Sequence, residues 1–117
     1  MCERLGSLRK GMQQFVRGLD AALLSADDAG RALADATAIE HMAATAKALL
    51  AARVAECGTW RRQGARSPAD HIAKATGTSV GAALEGMKLA ERLAELPAVD
   101  EAARAGELWP QIGRAHV

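Results

Sequence analysis

The spacing of apolar residues constrains this chain most, because they recur at steps of three and four along most of its length. The first set predicts one helix with a single apolar stripe, made of Leu5, Leu8, Met12, Phe15, Val16, Leu19 and Leu23. No run alternates Val, Ile, Thr or Tyr with polar residues, so strands are not expected. The spacing therefore predicts an all-α fold.

A long second helix is predicted from a start signal and a stop signal. Ser25 and Asp28 stand at capping-box spacing, and Gly58 is the expected C-terminal stop of a helix that extends to about Glu56. The predicted apolar face is Ala29, Leu33, Ala36, Ile39, Ala43, Ala46, Leu50 and Val54. Half of that face is alanine, which lets a neighbouring helix approach closely. We therefore expect the first two helices to form a long Ala-rich helical hairpin.

The rest of the chain predicts a loop and then a corner of shorter helices. Residues 58–66 contain two glycines and a charge run, which is typical of a loop. Ser67 is placed to cap the helix that follows it, and Gly77 to end that helix. The predicted helices run from Pro68 to about Ala75, from Thr78 or Ser79 to before Pro97, and from about Val99 to Ala105.

The two helices around Gly77 have the shape of a helix-turn-helix unit. A helix that reads bases should expose basic or amide side chains in its first turns. The exposed positions expected here have a net charge of −1: Glu85, Lys88, Glu91, Arg92 and Glu95. A structural corner is therefore favoured over sequence-specific reading of DNA, which remains the alternative.

Local charge marks a second region, between Gly58 and Gly77. Four cations and a tryptophan stand there with a single acid, Asp70, giving a charge of +3. These residues are Trp60, Arg61, Arg62, Arg66 and Lys74. Arginine beside an aromatic ring can hold phosphate or stack on a base, so the set is a candidate contact with the nucleic-acid backbone. The favoured alternative is a solvated loop in which Trp60 covers a small core.

No constellation of nucleophile, base and oxyanion donors is recognised in the sequence. His41, His71 and His116 lack paired metal-ligand spacing, and no Gly-rich phosphate loop followed by Lys occurs. We expect no catalytic residue, no metal or cofactor and no small-molecule substrate. Cys2 and Cys57 are expected to be reduced thiols of a cytoplasmic protein. No apolar stretch reaches the ~20 residues that span a bilayer, so no membrane partner is expected.

The chain resembles the family called domain of unknown function 222, or DUF222. The likeness covers nearly the whole chain up to Leu108. LLAARVAE is one of the matching pieces, and TGTSVG followed by RLAELP is quite specific in combination. That family is common in high-GC bacteria and usually precedes an HNH endonuclease module. The resemblance implies a role beside a metal-dependent nuclease acting on DNA, whose divalent metal and catalytic histidines belong to the HNH module. The family often has arginines where Leu84 and Glu85 stand, which weakens a DNA-contact role for that helix.

We predict that residues 1–111 are a truncated helical domain of this kind. Residues 112–117, IGRAHV, match what a common sequencing adapter encodes in frame, so they are expected to be a non-native tail. The expected function is a non-catalytic accessory module that helps place an HNH endonuclease-like protein on DNA or on a partner. The alternative is a purely structural helical interaction domain without DNA contact. The chain has 28 alanines against 13 leucines, so its core is thin and we expect marginal stability or self-association.

Overall fold

Every regular element in residues 2–107, the range that the computed structural model describes, is helical. The five α-helices are α1 (Cys2–Gly18), α2 (Ala26–Cys57), α3 (Pro68–Thr76), α4 (Val80–Glu95) and α5 (Pro97–Arg104). Two short 3-10 helices span Ala21–Leu23 and Thr59–Gln63. The prediction of an all-α fold is confirmed. The predicted tail at 112–117 and His116 lie outside the described residues.

The chain divides into two units, and the first of them extends to Ala34. None of its described residues is buried. The prediction of one helix reaching Leu23 is wrong, because α1 ends at Gly18. Asp20 then caps the 3-10 helix, its Oδ1 accepting from the N–H of Ala22 at 3.3 Å. The cap predicted at Ser25 is confirmed, since its Oγ accepts from the N–H of Asp28 at 3.1 Å. The hairpin of the first two helices stays a prediction.

The second unit begins at Asp35 and contains the core. Helix α3 contributes Ala69, Ile72 and Ala73 to it, and α4 contributes Ala83. Farther along α4, Leu93 is only 1% exposed. Alanine buries little apolar area, so the few larger side chains carry much of the hydrophobic stabilisation in this unit.

The face of α2 that is buried in this unit differs from the predicted one. The buried residues of the helix are Thr45 and Ala48. The prediction had pointed to the face of Ile39 and Leu50, which are 44% and 43% exposed. That part of the prediction is wrong. The face in contact with the core is made of alanine and threonine, which give a weak apolar signal in the sequence.

The end of α5 lies against α2. Thr45 Oγ1 is 3.3 Å from the carbonyl oxygen of Ala103, and His41 Nδ1 is 3.3 Å from that of Gly106. Gly106 has φ 77°, and a Cβ atom there would stand 2.9 Å from the Ala38 carbonyl oxygen. Helix α5 begins at Pro97, not at Val99 as predicted, because proline suits the first helical position as well as it ends the preceding helix.

No helix within residues 2–107 is both long enough and apolar enough to cross a membrane.

Candidate nucleic-acid interface

The segment predicted to be a loop contains a 3-10 helix, Thr59–Gln63, which follows the end of α2. Gly58 and Gly64 bound this helix with φ values of 70° and 78°, a conformation that side chains other than glycine rarely adopt. Weak backbone hydrogen bonds hold its turns, for example from the Gly64 N–H to the Arg61 carbonyl at 3.3 Å. The segment therefore has a defined backbone that can present its side chains in a fixed arrangement.

Two of the candidate residues lie on this 3-10 helix and contact each other. The guanidinium carbon of Arg61 is 5.1 Å from the centroid of the Trp60 ring. Trp60 is half-buried and Arg61 is exposed. A cation–π contact of this kind limits the motion of the guanidinium while its N–H groups remain open to solvent. Arg62 is the next residue and is also exposed.

Asp70 organises the start of α3 and reduces the positive charge around it. Its N–H donates to the Oγ of Ser67 at 3.1 Å, which confirms the predicted cap. Its Oδ2 accepts from the backbone N–H of Arg66 at 3.1 Å and lies 3.4 Å from Nζ of Lys74. The Arg66 N–H, and to a lesser extent Lys74, lower the pKa of Asp70 against the effect of desolvation. Asp70 is therefore ionised at neutral pH.

The candidate cations consequently divide into two groups. Lys74 is paired with Asp70 within α3, at the i,i+4 spacing usual for helical ion pairs. Across residues 2–107, no carboxylate lies within ion-pair distance of the guanidiniums of Arg61, Arg62 and Arg66. Among the four candidate cations, the three arginines on the 3-10 helix and just before α3 are therefore the ones with no carboxylate within ion-pair distance.

Helix α4, the counterpart of a recognition helix, begins after a turn at Gly77 with φ 69°. Ser79 rather than Thr78 caps it, accepting from the Ala82 N–H at 3.0 Å. On the exposed side, Leu84 is 45% accessible and is followed by the exposed acid Glu85. This surface offers apolar and acidic groups where a reader of bases would offer amides or arginines.

A groove of about 460 Å³ lies between α2, α3 and α4 in the second unit, and the sequence analysis did not identify it. Alanines from α2 and α4 form much of its floor, and its charged lining residues are Lys47, Glu85, Lys88 and Arg92. Ala44, Ala48 and Ala51 have the spacing of one helical face. This alanine spacing could have indicated the groove from the sequence. The predicted buried face of α2 followed the larger apolar residues instead.

Within the described part of the chain, no three His, Cys, Asp or Glu side chains are grouped closely enough to hold a metal ion. Both cysteines, Cys2 and Cys57, are free and exposed. The sequence contains three histidines that could act as metal ligands. His41 lies against the Gly106 carbonyl and His71 lies on α3, while His116 is outside the described residues.

Comparison with known proteins gives one family match. The sequence profile of the family described as domain of unknown function, DUF222, matches residues 30–116. That range contains the 3-10 helix Thr59–Gln63 and helices α3, α4 and α5, and it excludes α1. Neither the curated proteins nor the solved structures provide a match.

Proposed function

This chain belongs to the DUF222 family, and on that basis we propose that it is a non-catalytic helical accessory module of an HNH endonuclease-like protein. Its role is to help hold that protein on DNA through the nucleic-acid backbone. The contact surface, called here the basic surface, consists of Trp60, Arg61, Arg62, Arg66 and Lys74.

The observation that carries this proposal is the set of three exposed arginine side chains without a carboxylate partner. Arg61 and Arg62 lie on the 3-10 helix, and Arg66 directly precedes the cap of α3. Guanidinium groups bind phosphate through paired N–H donors, and they release condensed counterions when they do so. A surface of this kind supports contact with the phosphates of any sequence.

Reading of specific bases is not part of the proposal. Helix α4 exposes Leu84 and Glu85 near its start, and neither side chain matches the donor pattern that reads guanine or adenine. Phosphate contacts set position on a duplex but carry no sequence information. The module would therefore contribute affinity, while the choice of cleavage position would rest with the nuclease module.

The test is fluorescence anisotropy of a labelled random-sequence duplex, titrated with the 117-residue chain at several salt concentrations. If the three arginines each neutralise one phosphate, replacing Arg61, Arg62 and Arg66 by Ala should reduce the slope of log K against log salt by about 2.7. The matched control replaces Arg31, Arg53 and Arg104 by Ala. These residues have the same total charge, and each is paired with a carboxylate elsewhere on the surface.

The outcomes separate the proposal from a general charge effect. Loss of slope in the Arg61, Arg62 and Arg66 variant alone supports the basic surface. Equal loss in both variants shows that net charge governs binding and contradicts the assignment. Absence of any shift at low salt removes the DNA role. Sequencing the locus past codon 111 tests the link to an HNH module separately.

A second function is favoured by one specific observation, the uncovered apolar side of α1. Leu8 and Phe15 are 69% and 53% exposed, although α1 is amphipathic over its whole length. Exposed apolar stripes of this kind mark interaction surfaces. A helical interaction domain without DNA contact is therefore the alternative, and it predicts no salt-dependent binding of duplex.

A further inference from the structure

The groove between α2, α3 and α4 has an apolar floor. Ala48, Ile72 and Ala83 are its buried lining residues, and Leu89 is half-buried beside them. All of the lining residues lie within 44–92, so the groove belongs to the second unit alone. Its volume of about 460 Å³ is within the range of ligand sites, about 300–1,000 Å³. The groove can therefore enclose several apolar groups of a bound molecule.

The rim of the groove is basic. Its charged residues are three cations and one acid: Lys47, Lys88, Arg92 and Glu85. Among residues 2–107, no carboxylate lies within ion-pair distance of the three cations. Lys88 and Arg92 are four positions apart on one side of α4, and Arg92 is half-buried there. A half-buried guanidinium without a nearby carboxylate favours an occupant that brings acidic groups.

The walls have few polar atoms that could orient a small molecule. Thr76 Oγ1 donates to the Ile72 carbonyl at 2.7 Å and lies 2.9 Å from Oγ1 of Thr78. The main-chain groups of the flanking helices are hydrogen-bonded within those helices. An extended peptide would leave its N–H and C=O groups unpaired against such walls, whereas a helix pairs its own. The shape and chemistry of the groove therefore suit an amphipathic helix.

Gly86 is an independent sign of close approach. It lines the groove from the interior of α4, where glycine is less favourable than alanine. A Cβ atom at this position would meet nothing within 4 Å. Packing within the chain thus gives no reason for glycine here, and the close approach of another helix does.

From the groove and its rim we infer a docking site for an amphipathic α-helix of another protein, with an apolar face flanked by Asp or Glu. The apolar face fills the floor, and the acids lie against Lys47, Lys88 and Arg92. A second copy of the chain does not supply this helix through α1. Helix α1 has four basic side chains and one acidic side chain, a net charge of +3 that is of the wrong sign for the rim.

The test uses two synthetic peptides of about 16 residues, a length at which a helix can form. Both have leucines at steps of three and four, and the flanking positions are Glu in one peptide and Lys in the other. Isothermal titration calorimetry with the 117-residue chain should show the Glu peptide binding about ten-fold more tightly, by an interaction that weakens as salt rises. In NMR spectra, the Glu peptide should shift the amide signals of Ala48, Gly86 and Leu89.

A pair of glycine variants tests whether the peptide occupies the groove. Gly86→Leu places a side chain inside the groove and should weaken binding of the Glu peptide about ten-fold. The control is Gly81→Leu, which adds the same side chain to α4 at a position that does not line the groove. A Cβ at Gly81 comes no closer than 3.8 Å to Ser79 Oγ, so both variants should keep the wild-type circular dichroism.

A pair of charge variants tests the rim. Replacing Lys47, Lys88 and Arg92 by Gln should also weaken the Glu peptide about ten-fold and abolish its advantage over the Lys peptide. The control replaces three arginines by Gln, which removes the same charge from residues that are paired with carboxylates: Arg31, Arg53 and Arg104. Equal weakening in both variants would contradict the role of the rim, because net charge alone would then govern binding.

Other results would overturn the docking site itself. One is the absence of binding by either peptide to the folded chain, and another is a set of shifted amides confined to α1. A third is displacement of the Glu peptide by duplex DNA, which would assign the rim to phosphate. A fourth is tighter binding of laurate at the same amides, which would assign the groove to a small amphiphile. The basic surface is tested separately, because none of its arginines lines the groove.

Discussion

Replacing Gly106 by Ala should destabilise the second unit more than the same change at any other glycine between residues 35 and 107, because two separate costs coincide there. The residue has φ 77°, where an L side chain is strained. An added Cβ would also stand 2.9 Å from the Ala38 carbonyl oxygen and 3.1 Å from Cγ of Met42. Ordinary van der Waals contact begins near 3.4 Å. The end of α5 would have to move away from α2 by roughly half an ångström.

The size of the effect follows from what that movement breaks. The left-handed conformation costs about 1–2 kcal/mol for a residue with a Cβ. Two long hydrogen bonds join the same elements, Thr45 Oγ1 to the Ala103 carbonyl and His41 Nδ1 to the Gly106 carbonyl, each at 3.3 Å. Each contributes about 0.5–1.5 kcal/mol and would be stretched beyond useful length. We therefore expect the free energy of unfolding to fall by about 2–5 kcal/mol.

Urea unfolding followed by circular dichroism at 222 nm measures this loss, and two glycines in the same chain serve as controls. Gly58→Ala imposes similar backbone strain, with φ 70° and no atom within 4 Å, so it should cost about 1–2 kcal/mol. Gly86→Ala lies inside α4 with open space around it and should stabilise the helix by up to ~1 kcal/mol. If Gly106→Ala were no worse than Gly58→Ala, the close approach of α5 to α2 would be disproved.

Two further substitutions test the core and the start of α3. Leu93→Ala should lower the free energy of unfolding by about 2–4 kcal/mol, because Leu93 is only 1% exposed. Leu84 lies on the same helix but is 45% exposed, so Leu84→Ala should lower it by less than ~1 kcal/mol. Equal losses in urea unfolding would contradict the packing of α4. Asp70→Asn should reduce stability at neutral pH, because the folded state lowers the pKa of Asp70. Stability from a lowered pKa is present above the unfolded-state pKa, about 4, and is lost as pH falls through the folded-state pKa. Melting temperatures of variant and wild type should therefore converge in acid, and a difference that persists there would refute the role of the carboxylate.

Local signals in the sequence predicted most helix ends correctly. Ser25 and Ser67 cap helices as expected, and Gly77 ends α3 in the left-handed conformation. A cap depends on residues three positions apart, so its energy is visible without the tertiary fold. The exceptions were the start of α5, which was predicted near Val99 and lies at Pro97, and the end of α1, which was extended to Leu23 on apolar spacing alone. Gly18 and the capping side chain of Asp20 interrupt it.

Packing between distant segments was less predictable. The buried face of α2 contains Thr45 and Ala48. Which face of α2 is buried depends on where α3, α4 and α5 pack, rather than on the apolar pattern of α2 itself. At the basic surface, the charges could be found by counting, and the pairing of Lys74 with Asp70 follows helical spacing. The stacking of Arg61 on Trp60 could not be foreseen, because it depends on the rotamers adopted on a 3-10 helix.

The basic surface also sets the affinity that the proposed function can supply. A surface with three available arginines releases few counterions, so this module alone should bind DNA weakly, in the range of about 10⁻⁴–10⁻⁶ M expected for non-specific contact at physiological salt. Joined to a nuclease module that also contacts DNA, it would raise the affinity of the whole protein, because the second contact then forms at the effective concentration set by the link. The gain would be absent on a duplex too short for both contacts, because simultaneous engagement is then impossible.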